Sequence, residues 1–284
     1  MTTACFLDPR AIRLQKGKFA AQANQCTTTF FDEITDCVRS PKKGNKLRGL
    51  ALLQRFTEPK ETRLGYSKRK INGHGGADEV GQAIWDALST NVRALIVVGV
   101  LKFIEDMPVF VDDIAEDRTS DLTTRIVFEP LARFTQSMLH KHPEFTSGSH
   151  RTDSFTRQVW DPGRLEWTDK KLVLPVANDK PLMLVPRDWA RATLLMSSSR
   201  FFDTTMLTFA QERRTVIDKT TGKALKPSKD DLRQESQFAR GIDTIIRVAR
   251  EAQAHDEDLV ARFRSFVDGR YEPLSDERIA KRLG

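Results

Sequence analysis

The sequence predicts an α/β or α+β fold: a small mixed sheet flanked by helices, with a helical C-terminal part. Three observations carry that expectation. Apolar residues recur at helical spacing over long stretches, as in Phe31, Ile34 and Val38, then Val80, Ile84 and Leu88, then Ile242, Ile245, Ile246 and Ala249. Between them, "FTRQVW", "KKLVLPV" and "PLMLVPR" read as three short strands separated by the turn sequences "DPG" and "ANDK". The chain of 284 residues is 39% hydrophobic and 30% charged, enough apolar material for a real core. The change of texture places an α/β core domain over 1–198 and a helical region over 199–284, packed together as one unit.

Taken in order, "CFLDP" reads as a short strand ending in an Asp-Pro turn. A helix around 28–39 follows and is broken by "SPKKGN", after which Leu47, Leu50, Ala51 and Leu53 start another. Residues 58–76 are polar and glycine-containing, without periodicity, and a helix with Val80, Ile84 and Leu88 comes next. The run "ALIVVGVL", 94–101, is a buried helix or strand, and "VFVDDI" reads as a strand. Ser120 is the expected N-cap of a helix carrying Leu122 and Ile126; Pro130 then kinks it or opens a second one. "EFTSGSHRTDS", 144–154, reads as a loop before the three strands. Helices resume near Arg200, "DKTTGKALKPSKDD" forms a basic hairpin or loop, and Ser275 caps a last helix.

Charge and cysteine usage narrow the function classes. The net charge of +7 is concentrated: between Lys42 and Lys70 there are ten Lys or Arg against two acids, so the rest of the chain is about neutral. Concentrated positive charge suits a polyanion, and it also suits a solvated surface. Cys5, Cys26 and Cys37 form no C-x-x-C pair, which argues against zinc and for buried thiols in a reducing cytoplasm. No secretory signal is expected at the N-terminus, and the longest apolar run is far too short for a membrane span.

Three stretches could carry chemistry. In "PVFVDDIAEDRTSDLTTRIV", 108–127, a strand end meeting a helix start would bring Asp113, Asp117 and Asp121 together, and Mg2+ or Mn2+ would relieve their repulsion. Seven acids lie between Glu105 and Asp121, against one Arg. Helix-dipole and turn preferences explain the same residues, and both roles stay open. In "ETRLGYSKRKINGHGG", 61–76, Arg63, Lys68, Arg69, Lys70 and His74 lie among four glycines and Tyr66. Such a loop can grip phosphates; it has no Walker A order and also reads as a plain surface loop. In "LEWTDKKLVLPV", 165–176, Asp169 and Lys171 form the acid-x-Lys unit of metal-dependent nucleases, opening a strand, or are surface residues of a hairpin.

The landmarks "FLDP", "ETRLGYSK", "VDDIAEDRTSDLTT" and "LPVANDKPLMLVPR" together resemble an uncharacterised bacterial protein family, over roughly 5–235. The resemblance implies a setting in antiviral defence. Asp113 or Asp121 with Asp169 and Lys171 further resembles the restriction-type PD-(D/E)xK nucleases, with a different spacing and strand position. The expectation is a metal-dependent, nuclease-like, nucleic-acid-processing protein using Asp113, Asp121, Asp169 and Lys171. The alternatives are a non-catalytic nucleic-acid-binding module, or an accessory subunit docking through the helices around Ile242 and Phe263 onto other protein subunits.

Overall fold

The computed structural model describes residues 5–54, 59–64, 76–90, 92–97, 99–111, 116–148 and 150–278. It is a mixed α and β fold of the predicted kind, with small sheets flanked by helices and a helical C-terminal region. Every described strand pair is antiparallel.

Strand β1 (Phe6–Leu7) leads into α1 (Pro9–Leu14). Asp8 caps that helix, its Oδ1 accepting the backbone N–H groups of Arg10 (2.8 Å) and Ala11 (3.2 Å), and Pro9 takes the first helical position. Helix α2 (Lys18–Arg39) buries Ala23, Thr27, Phe30, Ile34 and Val38 along one face. It starts well before the expected 28, because Ala20 and Ala23 are small and signal their burial weakly. Helices α3 (Lys43–Gln54), α4 (Gly76–Ser89) and α5 (Arg93–Val97) follow, and α2 packs against all three.

α3 and α4 approach at Gly81, where an added Cβ would stand 2.6 Å from the Leu53 carbonyl oxygen. Backbone cannot yield as a side-chain tip can. Gly81→Ala is therefore expected to destabilise the protein by about 1–3 kcal/mol, although Ala is the better helix former. Urea unfolding checks this, and a neutral or stabilising result would contradict the close approach.

"VFVDDI" is not a strand where it is described. A single 3₁₀ turn, Ile104–Asp106, runs into α6 (Met107–Phe110), with only Val111 extended after it. Pro108 in the first turn favours the helix, and three consecutive apolar residues, Val109 to Val111, cannot distinguish the two periods. Helix α7 (Glu116–Ile126) begins four residues before Ser120. Ser120 is thus no N-cap; it is buried in mid-helix, its Oγ accepting the Leu7 N–H at 2.8 Å. A break at Val127 starts α8 (Phe128–Lys141), and Pro130 lies in its first turn, where no helical N–H bond is lost.

The expected loop at 144–154 is shorter than predicted: 143–146 form a 3₁₀ turn, and β2 (Arg151–Asp161) has already begun. β2 pairs along its whole length with β3 (Glu166–Ala177), from Arg151↔Val176 to Asp161↔Glu166. Asn178 and Asp179, at φ 53° and 56°, make the tight turn into β4 (Lys180–Pro181). "PLMLVPR" supplies no further strand beyond Pro181 until β5 (Ala190–Arg191), which pairs back to β1. The hairpin is clamped by Trp160 and Trp167, paired across it at 5.5 Å, with Phe30 of α2 at 5.0 Å from Trp160. Trp160 Nε1 donates to Thr29 Oγ1 and Trp167 Nε1 to the Leu52 carbonyl, each at 3.0 Å, so both ring dipoles are satisfied.

α9 (Ser198–Phe201) continues through a π-helical turn, Phe202–Met206, into α10 (Leu207–Arg213). β6 (Val216–Ile217) and β7 (Ala224–Leu225) make a small hairpin, followed by α11 (Lys229–Gln234), α12 (Ile242–Gln253) and α13 (Leu259–Asp268). Ile245, Ile246 and Phe263 join the same hydrophobic core as α2 and the tryptophans. Those three side chains are spent inside the chain, while Ile242 is half-buried against the edge of that core.

Candidate functional site

The described acids of this stretch lie in different surroundings. Glu105 and Asp106 are fully buried in the 3₁₀ turn and held by arginines. Glu105 pairs with Arg10 (3.4 Å) and Arg13. Asp106 receives Arg264 through two bonds of 2.9 and 2.7 Å and also accepts the N–H groups of Lys102 and Phe103. These two acids are structural. Glu116 opens α7, and its Oε1 accepts the Leu194 N–H at 3.0 Å. Asp117 is exposed in the first turn of α7, where the helix dipole favours it, and Asp121 is half-buried one turn later.

Asp113, and Asp112 beside it, lie outside the described residues. Asp117 and Asp121 are neighbours on one helix, but among the described residues no group of three or more His, Cys, Asp or Glu side chains is arranged to hold a metal ion.

Of the basic loop, Lys68, Arg69, Lys70 and His74 lie outside the described residues. Arg63 adopts a left-handed conformation, φ 54°, and donates to the Ala177 carbonyl at 2.7 Å. It fastens the 59–64 segment to the end of β3 and is spoken for by backbone. Glu61, two residues earlier, is buried and accepts from Arg157 Nε at 2.6 Å.

Asp169 and Lys171 stand in mid-β3 and share one face, opposite Gln158 and Thr156 of β2; the unit does not open its strand, which starts at Glu166. Both are exposed. Their connection to α7 runs through Arg125, a residue that sequence reasoning passed over. Arg125 is 5% exposed, stands one turn after Asp121, and donates to Gln158 Oε1 at 3.2 Å. Its guanidinium lies over Phe128 (5.7 Å) and Trp167 (5.6 Å). Burial pulls its pKa down, while Glu61 and Asp169 push it back up. The helix carrying Asp121 and the strand carrying Asp169 and Lys171 thus meet at one arginine.

A second feature is the start of α3. The Lys42 carbonyl takes a helical bond from Lys46 N at 3.2 Å, and the first turn contains no acid. Lys42, Lys43 and Lys46 are all exposed, and no ion pair reaches them among the described residues, whereas Arg39 pairs with Asp36 and Arg48 with Glu33. Lysines at a helix N-terminus oppose the macrodipole, so this placement costs stability. It concentrates positive potential instead.

The cysteines are free and buried, as expected. Burial pushes the Cys26 thiol up to about 12 and Cys37 up to about 11, so neither is a ready nucleophile near neutral pH. No helix among the described residues is long and apolar enough to cross a membrane.

A family model described as "Domain of unknown function (DUF8370)" matches residues 2–197. No curated protein and no solved structure matches the chain.

Proposed function

We propose that this chain, which belongs to the DUF8370 family, acts on nucleic acid, gripping the phosphate backbone through the N-terminal lysines of α3. One observation carries the reading: Lys42, Lys43 and Lys46 are exposed, without ion-pair partners among the described residues, at a helix end where they cost stability. Phosphates would be drawn by the lysine charges and the helix N-terminus together. The basic residues from Lys68 to His74 extend the same sequence segment.

Fluorescence anisotropy with labelled DNA and RNA, titrated against salt, tests this. Replacing the three lysines by Gln is expected to lower the slope of log affinity against log salt by up to about 2.7 on duplex DNA, roughly 0.9 for each phosphate no longer neutralised. A triple variant with the wild-type slope and affinity would sink the proposal.

Metal-dependent cleavage is the second reading, and the meeting of α7 with β2–β3 at Arg125 favours it. Asp121 and Asp169, with Asp113, would hold Mg2+ or Mn2+, and Lys171 on the same strand face would stabilise charge on the phosphorane. Cleavage of plasmid, single-stranded DNA and RNA is measured with Mg2+, Mn2+ or EDTA. Asp121→Asn and Asp169→Asn are each expected to abolish cutting without changing the salt-sensitive binding. Metal-independent cutting, or cutting retained in both variants, rules this chemistry out.

A further inference from the structure

The β6–β7 hairpin is absorbed by neither reading above, and it lies beyond residue 197, where the family match ends. Val216 pairs with Leu225 and Ile217 with Ala224, so the two pairs point to opposite faces of the ribbon. Both faces are bare: Val216 is 64% exposed, Ile217 58% and Leu225 57%. A ribbon packed on the body would bury one of them.

The hairpin is nonetheless built rather than loose. The Asp218 N–H donates to the Lys223 carbonyl (2.9 Å) and the Gly222 N–H to the Asp218 carbonyl (2.8 Å), with Gly222 at φ +68°. Asp218 Oδ1 accepts from the N–H groups of Thr220 and Thr221, which uses up the one carboxylate between 215 and 229. Gln211 Nε2 holds the Pro227 carbonyl at 2.8 Å, and Ser228 with Asp231 forms a capping box on α11, so the exit of the ribbon is fixed.

The ribbon carries a net positive charge, three lysines against the single carboxylate of Asp218. Lys219 at the tip, Lys223 at the start of the return and Lys226 at its end are exposed, and among the described residues no ion pair reaches them. Arg213, also exposed, stands at the base with its guanidinium 3.1 Å from His255 Nε2.

Bare aliphatic side chains flanked by unneutralised lysines select a partner that is anionic along its edges and apolar or stackable between them. A duplex groove has that character. The B-form major groove admits a two-stranded ribbon, with phosphates along both walls and thymine methyl groups on its floor. Strand addition by another copy is the poorer fit, because two-residue strands offer almost no edge to pair with.

We infer that the β6–β7 ribbon is a nucleic-acid contact of its own, entering the major groove of duplex DNA with Val216, Ile217 and Leu225 against base edges and Lys219, Lys223 and Lys226 against phosphates. The inference rests on the reading of the chain as a nucleic-acid-binding protein and adds a duplex-specific element to it.

The experiment uses the full chain and a labelled DNA duplex of about 20 base pairs, two helical turns, beside an RNA duplex of the same sequence. One variant carries Lys219→Gln, Lys223→Gln and Lys226→Gln; another carries Val216→Ser, Ile217→Ser and Leu225→Ser. Circular dichroism melts confirm that both are folded, as the exposure of all six residues leads one to expect. The lysine variant should lower the DNA salt slope by up to about 2.7. The aliphatic variant should keep the slope, yet bind the DNA duplex about tenfold more weakly, the order expected of a single base-edge interaction. Its affinity for the RNA duplex should not change, since the deep groove of A-form RNA excludes side chains. A lysine effect without an aliphatic effect overturns groove insertion. If neither variant differs from wild type while the α3 lysine variant is weakened, the ribbon is no contact and the proposed function still stands. If the wild type shows no salt-sensitive binding, both fall together.

Discussion

Asp106→Ala is expected to destabilise the protein by about 3–5 kcal/mol, the cost of stranding one member of a buried ion pair. Asp106 is wholly shielded from solvent, and the Arg264 side chain that meets it is only 9% exposed. The guanidinium engages both carboxylate oxygens, at 2.9 and 2.7 Å, and the N–H groups of Lys102 and Phe103 supply two more bonds of 3.0 and 2.9 Å. Removing the carboxylate strands the Arg264 charge in the core and leaves two backbone donors unpaired. The loss is a large share of the roughly 5–15 kcal/mol that holds a domain folded. Urea unfolding of the variant reads it directly. Because the penalty lies in the orphaned charge, Asp106→Leu combined with Arg264→Met should unfold at a higher urea concentration than either single variant. An Asp106→Ala midpoint equal to the wild type would refute the assignment of this acid as structural.

The second large effect concerns Asp8 and depends on pH. Asp8 is buried, and burial pushes its carboxyl up to about 6, against the lowering by the N–H groups of Leu195, Ala11 and Arg10 and by the charge of Arg191. In the unfolded chain it returns to about 3.9. The folded state therefore holds its proton more tightly than the unfolded one. The resulting stabilisation is fully present below about pH 4 and is lost as pH rises through about 6, the reverse of the common carboxylate. Roughly two pKa units correspond to about 3 kcal/mol. Asp8→Asn cannot titrate. Between pH 4 and pH 7 the wild type should lose about 2 kcal/mol relative to this variant, whatever constant cost the amide itself imposes. Parallel stability curves for the two proteins would contradict the perturbed carboxyl.

What the sequence made legible follows from the range over which each feature is determined. Phe31, Ile34 and Val38, or Val80, Ile84 and Leu88, keep one period long enough to declare a helix. The Trp160–Trp167 hairpin is announced by "DPG" between two alternating stretches. At 107–111 the apolar run is too short to carry a period, and the local choice went to Pro108 and the preceding 3₁₀ turn. The site was harder. Asp169 and Lys171 are visible as a spacing, but the density of acids from Glu105 to Asp121 does not separate structural acids from candidate ligands. Glu105 and Asp106 face arginines as far away in the chain as Arg10 and Arg264, and no local pattern reports such partners. Arg125 was invisible for the same reason: only the packing of α7 on β2 turns a surface-type residue into a buried one.

The pairing of β1 with β5 bears on biosynthesis. Phe6 and Leu7 leave the ribosome well before their strand partners, Arg191 and Ala190, and Arg10 also binds Asp268 through bonds of 2.9 and 2.5 Å. At about 5–20 residues per second, the N-terminus waits roughly ten seconds or longer for its strand partner and longer still for Asp268. During that interval the apolar faces of α1 and α2 are without much of their final cover. Slowing translation between residues 8 and 190 is therefore expected to increase aggregation of the nascent chain, a result that co-translational pelleting would read.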